Sequence, residues 1–430
     1  MQNTPHYIEK IVALSQRHPV VTVRPVHAEN GIKLINSGVH ISDSLYDKLV
    51  NHKLLLPLDE CLSVDNAVSA DSIAETIANL IDETAFGELL CSSSEKTKLV
   101  DIFARLPINP VLAFKLTVAR EEAPKIYRHS LEVALCAAVL AMHTHAPQHE
   151  ITNAAASGLF HDIGLLHINS EFLDAEHSLT DQERHHIYAH PVLAHLVLER
   201  FPEWAQEVGR AVLEHHERLD ASGYPRGLDA CEISTLGQLL AVAELAATLI
   251  SGKSGTPAPE DIRVILRLNQ GKLNHQFANV LIARFLPEST ARQPQTYGQT
   301  LSSLVEISTS IQDWQSIARL HGEHEIVMLI SQRIERLERD LADLGVDLQF
   351  WGMIDTGLHE DGSSLHELAM AAQEGRWQLR AIAQEIHRLW TTLSPIHPLA
   401  RESIWAWSQR ADRPPQATLE ARAKQAQATG

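Results

Sequence analysis

The sequence predicts a mainly α-helical protein with a small α/β module at its N-terminus and a helical bundle or extension at its C-terminus. Apolar residues recur at three- and four-residue spacing through most of the chain from about residue 71. Alternating, β-branched stretches are confined to residues 20–64. Glycine and proline fall mostly between the helical segments.

In the first block, residues 1–70, "VVTVRPVH" alternates as a strand does, "ENG" signals a turn and "GIKLINSGVH" offers a second strand. Ser42 is a candidate N-cap for a helix carrying Leu45 and Leu49, after which "KLLLPL" returns to extended structure. Such a β-β-α-β unit suits regulation or docking, and it carries no recognisable chemistry. Residues 71–121 read as a helical linker, in which Ile73, Ile77, Leu80, Ile81 and Phe86 form one stripe. Residues 122–290 continue the helical period. Leu131, Leu135, Ala138 and Met142 share a face there, and Thr180 with Glu183 forms a capping box. Residues 291–412 hold long amphipathic helices suited to a bundle or a homodimer contact, and 413–430 read as a disordered tail.

A length of 430 residues favours two or three domains. The four cysteines, Cys61, Cys91, Cys136 and Cys231, are widely spaced and suggest neither a zinc knuckle nor a disulfide framework, as expected of a protein in a reducing cytoplasm. A net charge of −18 argues against DNA and anionic lipid as partners, so an anionic substrate would need metal ions or a local basic cluster. Neither a membrane span nor a secretory leader is expected.

Histidine is the informative residue. Of 25 in the chain, thirteen lie between His129 and His216, a clustering that a metal site produces and drift does not. The candidate ligands come from five segments: His129 in "YRHSLE", His161 and Asp162 in "LFHDIG", His190 in "YAHPVL", His215 and His216 in "EHHERLD", and Glu244 in "AVAELAATL". His143, His145, His185 and His195 are not expected to ligate. An aspartate has two carboxylate oxygens and can bridge two cations, so a His-Asp pair can seed a dinuclear site. Imidazole and carboxylate donors without thiolate favour iron, manganese or zinc over softer metals. Two such cations about 3.5–4 Å apart suit phosphoester hydrolysis.

The order His129, His161-Asp162, His190, His215-His216-Glu217 and then Gly223-Tyr224-Pro225 resembles the HD-GYP subfamily of the HD phosphohydrolase superfamily. The likeness covers about residues 122–288, where "GKLNHQFANVLIARF" resembles the family's terminal helix. It implies an all-helical HD-type core and two divalent metal ions, iron or manganese ahead of zinc or magnesium. It also implies hydrolysis of the bacterial second messenger cyclic di-GMP to pGpG or GMP through a metal-bridging hydroxide. His129, His161, Asp162, His190, His215 and His216 match the family's ligands, with Asp162 as the bridging, catalytic residue. Glu244 stands where the family has an aspartate. Arg218, Arg226 and Lys253 are the cations placed to meet substrate phosphate, while Glu217 and Asp220 are expected to orient ligands and brace the loop. Gly223, Tyr224 and Pro225 shape that loop and offer a surface to a signalling partner, as do the terminal regions.

The chain departs from the family at several positions. Leu165 replaces a lysine expected at substrate phosphate, and removing a cation where charge develops costs rate. Ala221 replaces a glycine that permits φ > 0, which predicts a differently bent loop. Lys125 occupies the place of a glutamate that holds a third metal in some members. Two further functions stay open on these residues: a metal-binding but slow or inactive sensor of cyclic di-GMP, and an HD phosphohydrolase acting on another nucleotide.

Overall fold

Proline is pre-set for the first turn of a helix, and Pro5 opens α1 (Pro5–Arg17) behind Thr4, whose hydroxyl accepts the Tyr7 amide. This helix lies outside the span assigned to the module by alternation. It buries Tyr7, Ile8, Ile11 and Leu14. The protein is described from a computed structural model covering residues 4–174, 177, 179–251, 259–285, 297–344, 346, 362–390 and 398–412.

The module's strands are short and form two separate antiparallel pairs. β1 (Val20–Thr22) pairs with β4 (Leu62–Val64), Val20 opposite Val64; β2 (Val26–His27) pairs with β3 (Lys33–Ile35), Val26 opposite Ile35. "KLLLPL" is not the strand its composition predicted. Leu54 makes a single bridge to Ala28, and Pro57 then leads into a 3-10 turn, Leu58–Glu60, since proline has no amide to give to a ladder. Ser42 starts a 3-10 turn, Asp43–Leu45, that runs into α2 (Tyr46–Val50).

α3 (Ala70–Glu83) begins at a Ser69–Ser72 capping box and buries Ile73, Ile77, Leu80 and Ile81. The predicted stripe continues to buried Phe86, but on a second helix, α4 (Ala85–Leu90). Thr84 divides the two: extended at φ −126°, it leaves α3, and its hydroxyl accepts the Gly87 amide to start α4. α5 (Ser93–Ala104) opens on a Ser92–Glu95 capping box, and α6 (Pro110–Glu122) on Asn109, which accepts the Val111 and Leu112 amides.

α7 (Pro124–His143) and α8 (Gln148–Phe160) form the centre of the core. Both bury runs of small residues, Ala134, Ala137, Ala138 and Ala141 on one and Ala154, Ala155, Ala156 and Gly158 on the other, which lets helices approach closely. Larger neighbours such as Leu131, Leu135 and Leu159 are also buried, each contributing roughly 1.5–3 kcal/mol. The 3-10 turn Ile163–His167 follows, then α9 (Asp181–Tyr188), whose Thr180–Glu183 capping box forms as predicted. α10 (His190–Leu198) packs on that 3-10 turn and, with α11 (Pro202–Ala205) beside it, on α12 (Glu207–Glu214); α12 packs on α8, and α13 (Thr235–Ile250) on α7 and α8.

The chain divides into two compact units, residues 1–258 with 272–286, and 259–271 with 287–430. α14 (Pro259–Leu268) therefore belongs to the second unit and α15 (His275–Arg284) to the first. In the second unit α14 packs with α16 (Tyr297–His321), α17 (Glu325–Asp343), α18 (Gly362–Leu389) and α19 (Pro398–Ala411). Leu304, Ile307, Ile311 and Trp314 on α16 face Ile326, Ile330, Ile334, Leu337 and Leu341 on α17 in its core. Trp314 and Trp407 cross edge to face at 4.8 Å, and both indoles find acceptors, Ser331 Oγ and the Ser310 carbonyl. The tail, 413–430, lies outside the described residues. Among the described residues no helix is long and apolar enough to cross a membrane.

Candidate metal centre

A helix leaves its last carbonyls without amide partners, and the site is built on that deficit. His161 follows the last residue of α8, and its Nδ1 lies 2.8 Å from the Gly158 carbonyl three residues back. His215 follows α12 in the same way, with Nδ1 2.5 Å from the Val212 carbonyl. His190, at the junction of α9 and α10, sets its Nδ1 2.7 Å from the Ile187 carbonyl. A carbonyl can only accept, so each Nδ1 carries a proton, and in the neutral ring each Nε2 presents a lone pair.

Those lone pairs converge. His190 Nε2 and His215 Nε2 are 3.1 Å apart, and His161 Nε2, fully buried, has carboxylate oxygens as its neighbours. Asp162 joins the two sides, with Oδ2 3.3 Å from His161 Nε2 and Oδ1 3.3 Å from His190 Nε2. From α13, Glu244 Oε2 reaches 2.9 Å from His129 Nε2 and 3.2 Å from His161 Nε2. The donors form two groups able to hold a metal, His129 with His161 and Asp162, and His190 with His215 and His216. A buried ring nitrogen set among carboxylate oxygens and two opposed imidazole nitrogens are what cations satisfy, so the residues fit two metal ions.

The electrostatics divide along the same line. Burial pushes His190 down, pushes His215 down to about 3 with help from the neighbouring rings, and holds His216 well below the imidazole range. Burial opposes charge on His161 and His129 too, but Asp162 and Glu244 outweigh it there and raise both. In return the His161 imidazole holds the Asp162 carboxyl low, and His129 does so for Glu244, against the burial of each.

A family profile described as "HD domain" matches residues 115–276. A cyclic di-GMP phosphodiesterase of Pseudomonas aeruginosa is 26% identical over 196 residues, 45% of this chain and 47% of the relative. One from Thermotoga maritima is 31% identical, over 34% of this chain and 41% of its own length. The 3'3'-cGAMP-specific phosphodiesterase 1 of Vibrio cholerae is 31% identical, over 29% of this chain and 30% of its own. The matched segment is an HD domain. The chain spans less than half the length of each of these relatives. A solved HDG"Y"P protein of Bdellovibrio bacteriovorus aligns with 62% of this chain and 98% of its own at 15% identity, with a TM-score of 0.35.

In this HD domain the Gly223-Tyr224-Pro225 loop closes backbone to backbone on the segment that carries His215 and His216. A Cβ on Gly223 would lie 2.3 Å from Glu217 Cα and 2.5 Å from the His216 carbonyl oxygen, so only glycine fits. Tyr224 stacks on His216, ring centres 4.6 Å apart, and meets Tyr188 on its other side at 4.4 Å. Exposed Pro225 follows it through a cis peptide bond. Glu217, buried, accepts the Arg226 and Leu228 amides, and Asp220 accepts the Ser222 amide and hydroxyl. Ala221 does not relax the loop as its side chain predicted: it holds φ +61°, the left-handed conformation a glycine would take.

The predicted substrate cations are placed differently from one another. Arg218 donates to the His215 and Glu217 carbonyls, and its charge interacts with Tyr224 and Glu244. Arg226 turns to Glu214, 3.0 Å away, and Lys253 lies outside the described residues. Leu165 is half-buried in the turn after Asp162, its amide on the Asp162 carbonyl at 2.9 Å, and Lys125 is exposed in the first turn of α7. His143 pairs with Glu95, His195 with Glu199 and the Gly209 carbonyl, and His185 with the Asp181 carbonyl.

Glu214 is a residue that sequence reasoning missed. Fully buried beside His215, it pairs with Arg210 and Arg226 through Oε1 and accepts the Ser234 amide and hydroxyl through Oε2. It thereby ties α12, the loop and the start of α13 together. Its signal was its place one turn after Arg210 and immediately before the histidine pair.

Proposed function

We propose that the HD-GYP domain is a metal-dependent phosphodiesterase that hydrolyses cyclic di-GMP to pGpG or GMP. The observation that carries this reading is Asp162, whose two oxygens face the two histidine groups 3.3 Å away on either side. His129, His161 and Glu244 would hold one divalent cation, His190, His215 and His216 the other, and Asp162 would bridge them. The imidazole and carboxylate donors favour iron, manganese or zinc over softer metals, and the resemblance to the HD-GYP subfamily puts iron or manganese first. When bound, such a pair polarises a phosphodiester and activates water for in-line attack. The chain itself contributes fixed imidazole tautomers, a desolvated floor and the Arg218 guanidinium for phosphate charge. The names of the cyclic di-GMP phosphodiesterase relatives support the substrate class.

Leu165 favours a second reading, a metal-loaded sensor of the same nucleotide that turns over slowly or not at all. One experiment separates the two. The purified chain is assayed for bound metal and for turnover of cyclic di-GMP and 3'3'-cGAMP, with iron and then manganese. Turnover supports the enzyme, and preference for 3'3'-cGAMP moves the substrate to that of the Vibrio relative. Two metals per chain with no turnover of either leaves the sensor.

A further inference from the structure

A second buried polar cluster lies in the same compact unit, and no metal ligand takes part in it. Lys115 of α6 and Asp59, each 2% exposed, form an ion pair at 2.7 Å. The Tyr7 hydroxyl donates to the other Asp59 oxygen at 2.5 Å, and the Lys115 ammonium sits 4.0 Å over the Tyr7 ring. His167 closes the cluster: its ring lies 4.5 Å from Tyr7, its Nε2 3.5 Å from Lys115 Nζ and its Nδ1 3.3 Å from Thr4 Oγ1. Lysine can only donate, so Nε2 accepts and Nδ1 carries the proton. Burial and the ammonium keep this imidazole uncharged, well below its usual range.

Burying an ion pair is costly, and an apolar group of similar volume would often serve stability as well. What distinguishes this cluster is what it holds. Lys115 is the first residue of the family-matched segment, while Thr4, Tyr7 and Asp59 come from the N-terminal module outside it. His167 ends the 3-10 turn Ile163–His167, which begins immediately after Asp162. At the second residue of that turn Gly164 abuts His190, leaving 2.1 Å between the carbonyl oxygen and the place of a Cβ. One tight turn thus adjoins Asp162 at one end, touches the His190 backbone one residue further on through Gly164, and meets the cluster at its other end. It spans only about 10 Å at ~2 Å rise per residue, and a close-packed segment of that length has little room to absorb a shift by bending.

We propose that Lys115 is a positioning residue for the metal centre: with Asp59, Tyr7 and His167 it fixes the turn that sets Asp162 against His190, which makes the N-terminal module part of the metal-binding machinery. The inference rests on the metal reading above and is tested on metal binding, apart from turnover. The paired change Asp59→Asn with Lys115→Met removes both charges at nearly constant shape, so neither is left buried alone. Tyr7→Phe removes one hydroxyl and is the milder variant should the pair not fold. Each full-length apoprotein is titrated with manganese and followed by electron paramagnetic resonance, with melting temperature recorded alongside.

The expected result is about tenfold weaker manganese binding and a changed spin-coupled signal from the metal pair, the scale on which supporting residues tune metal sites. Wild-type affinity and an unchanged signal in the folded variants, whatever their melting temperatures, overturn the proposal and leave the metal reading standing. Failure of the wild-type chain to bind manganese overturns both.

Discussion

Glu244 sets a carboxylate oxygen 2.9 Å from His129 Nε2, on a helix that also buries Ala243, Ala246 and Ala247. Its reach closes the gap from α13 to the first histidine group. Glu244→Asp shortens that reach by one methylene, and the small residues around it leave α13 no reason to move inward. Metal at the His129 group is expected to bind about tenfold more weakly, with the His190 group little changed. Calorimetric titration with manganese should then resolve one weakened and one unchanged phase; equal weakening of both would contradict the assignment of Glu244 to one group.

Asp162 faces both groups, so Asp162→Ala should release both metals together. Metal analysis after desalting is the measurement, and retention of one full equivalent would show that Asp162 is not the bridge.

Leu165 lies in the turn that follows Asp162, where the family has a lysine. Leu165→Lys is expected to raise turnover of cyclic di-GMP by tenfold or more, since a cation beside developing phosphate charge is worth on the order of 10²–10³ in rate. An unchanged rate in a metal-loaded variant would mean that Arg218 already supplies that charge or that the site turns over by neither route.

The two small residues of the loop should respond in opposite directions. Gly223→Ala drives a Cβ into the Glu217 and Arg218 backbone and is expected to cost several kcal/mol or prevent loop closure. Ala221→Gly relieves a side chain held at φ +61° and should stabilise by up to ~1 kcal/mol, net of the extra freedom of glycine when unfolded. Denaturant melts of the two variants test both signs.

Glu95 gives a pH dependence far from the metals. Burial opposes its charge, but the Ser92 hydroxyl and amide, His143 and Arg284 outweigh that and hold its carboxyl down to about 2. A folded pKa below the unfolded one stabilises at pH above about 4.5, and the contribution is lost as pH falls through the window from 4.5 to 2. Glu95→Gln should flatten the acid limb of a stability–pH curve in that window.

The helices and the order of the clustered histidines were legible because both are local or periodic. The stripe Ile73, Ile77, Leu80, Ile81 is a 3.6-residue period, and the Thr180–Glu183 box lies within four residues. The break at Thr84 was not legible, because a threonine that caps one helix while ending another resembles any helical threonine in a periodic pattern. α1 escaped because the alternation that drew attention began after it. The module's polar residues looked idle for a deeper reason: Asp59 and Lys115 are 56 positions apart in sequence and His167 lies 52 beyond, so no spacing rule joins them. Their partnership exists only once α1, α6 and the turn after Asp162 have packed.

The carbonyls that hold His161, His190 and His215 lie three residues back in each case. Aiming these rings is therefore a task each helix end completes alone, with no metal needed to orient them. On the proposed metal reading, cation uptake would follow folding, and a chelator should strip the centre while leaving the surrounding helices folded, unlike small zinc modules whose chains depend on metal to fold.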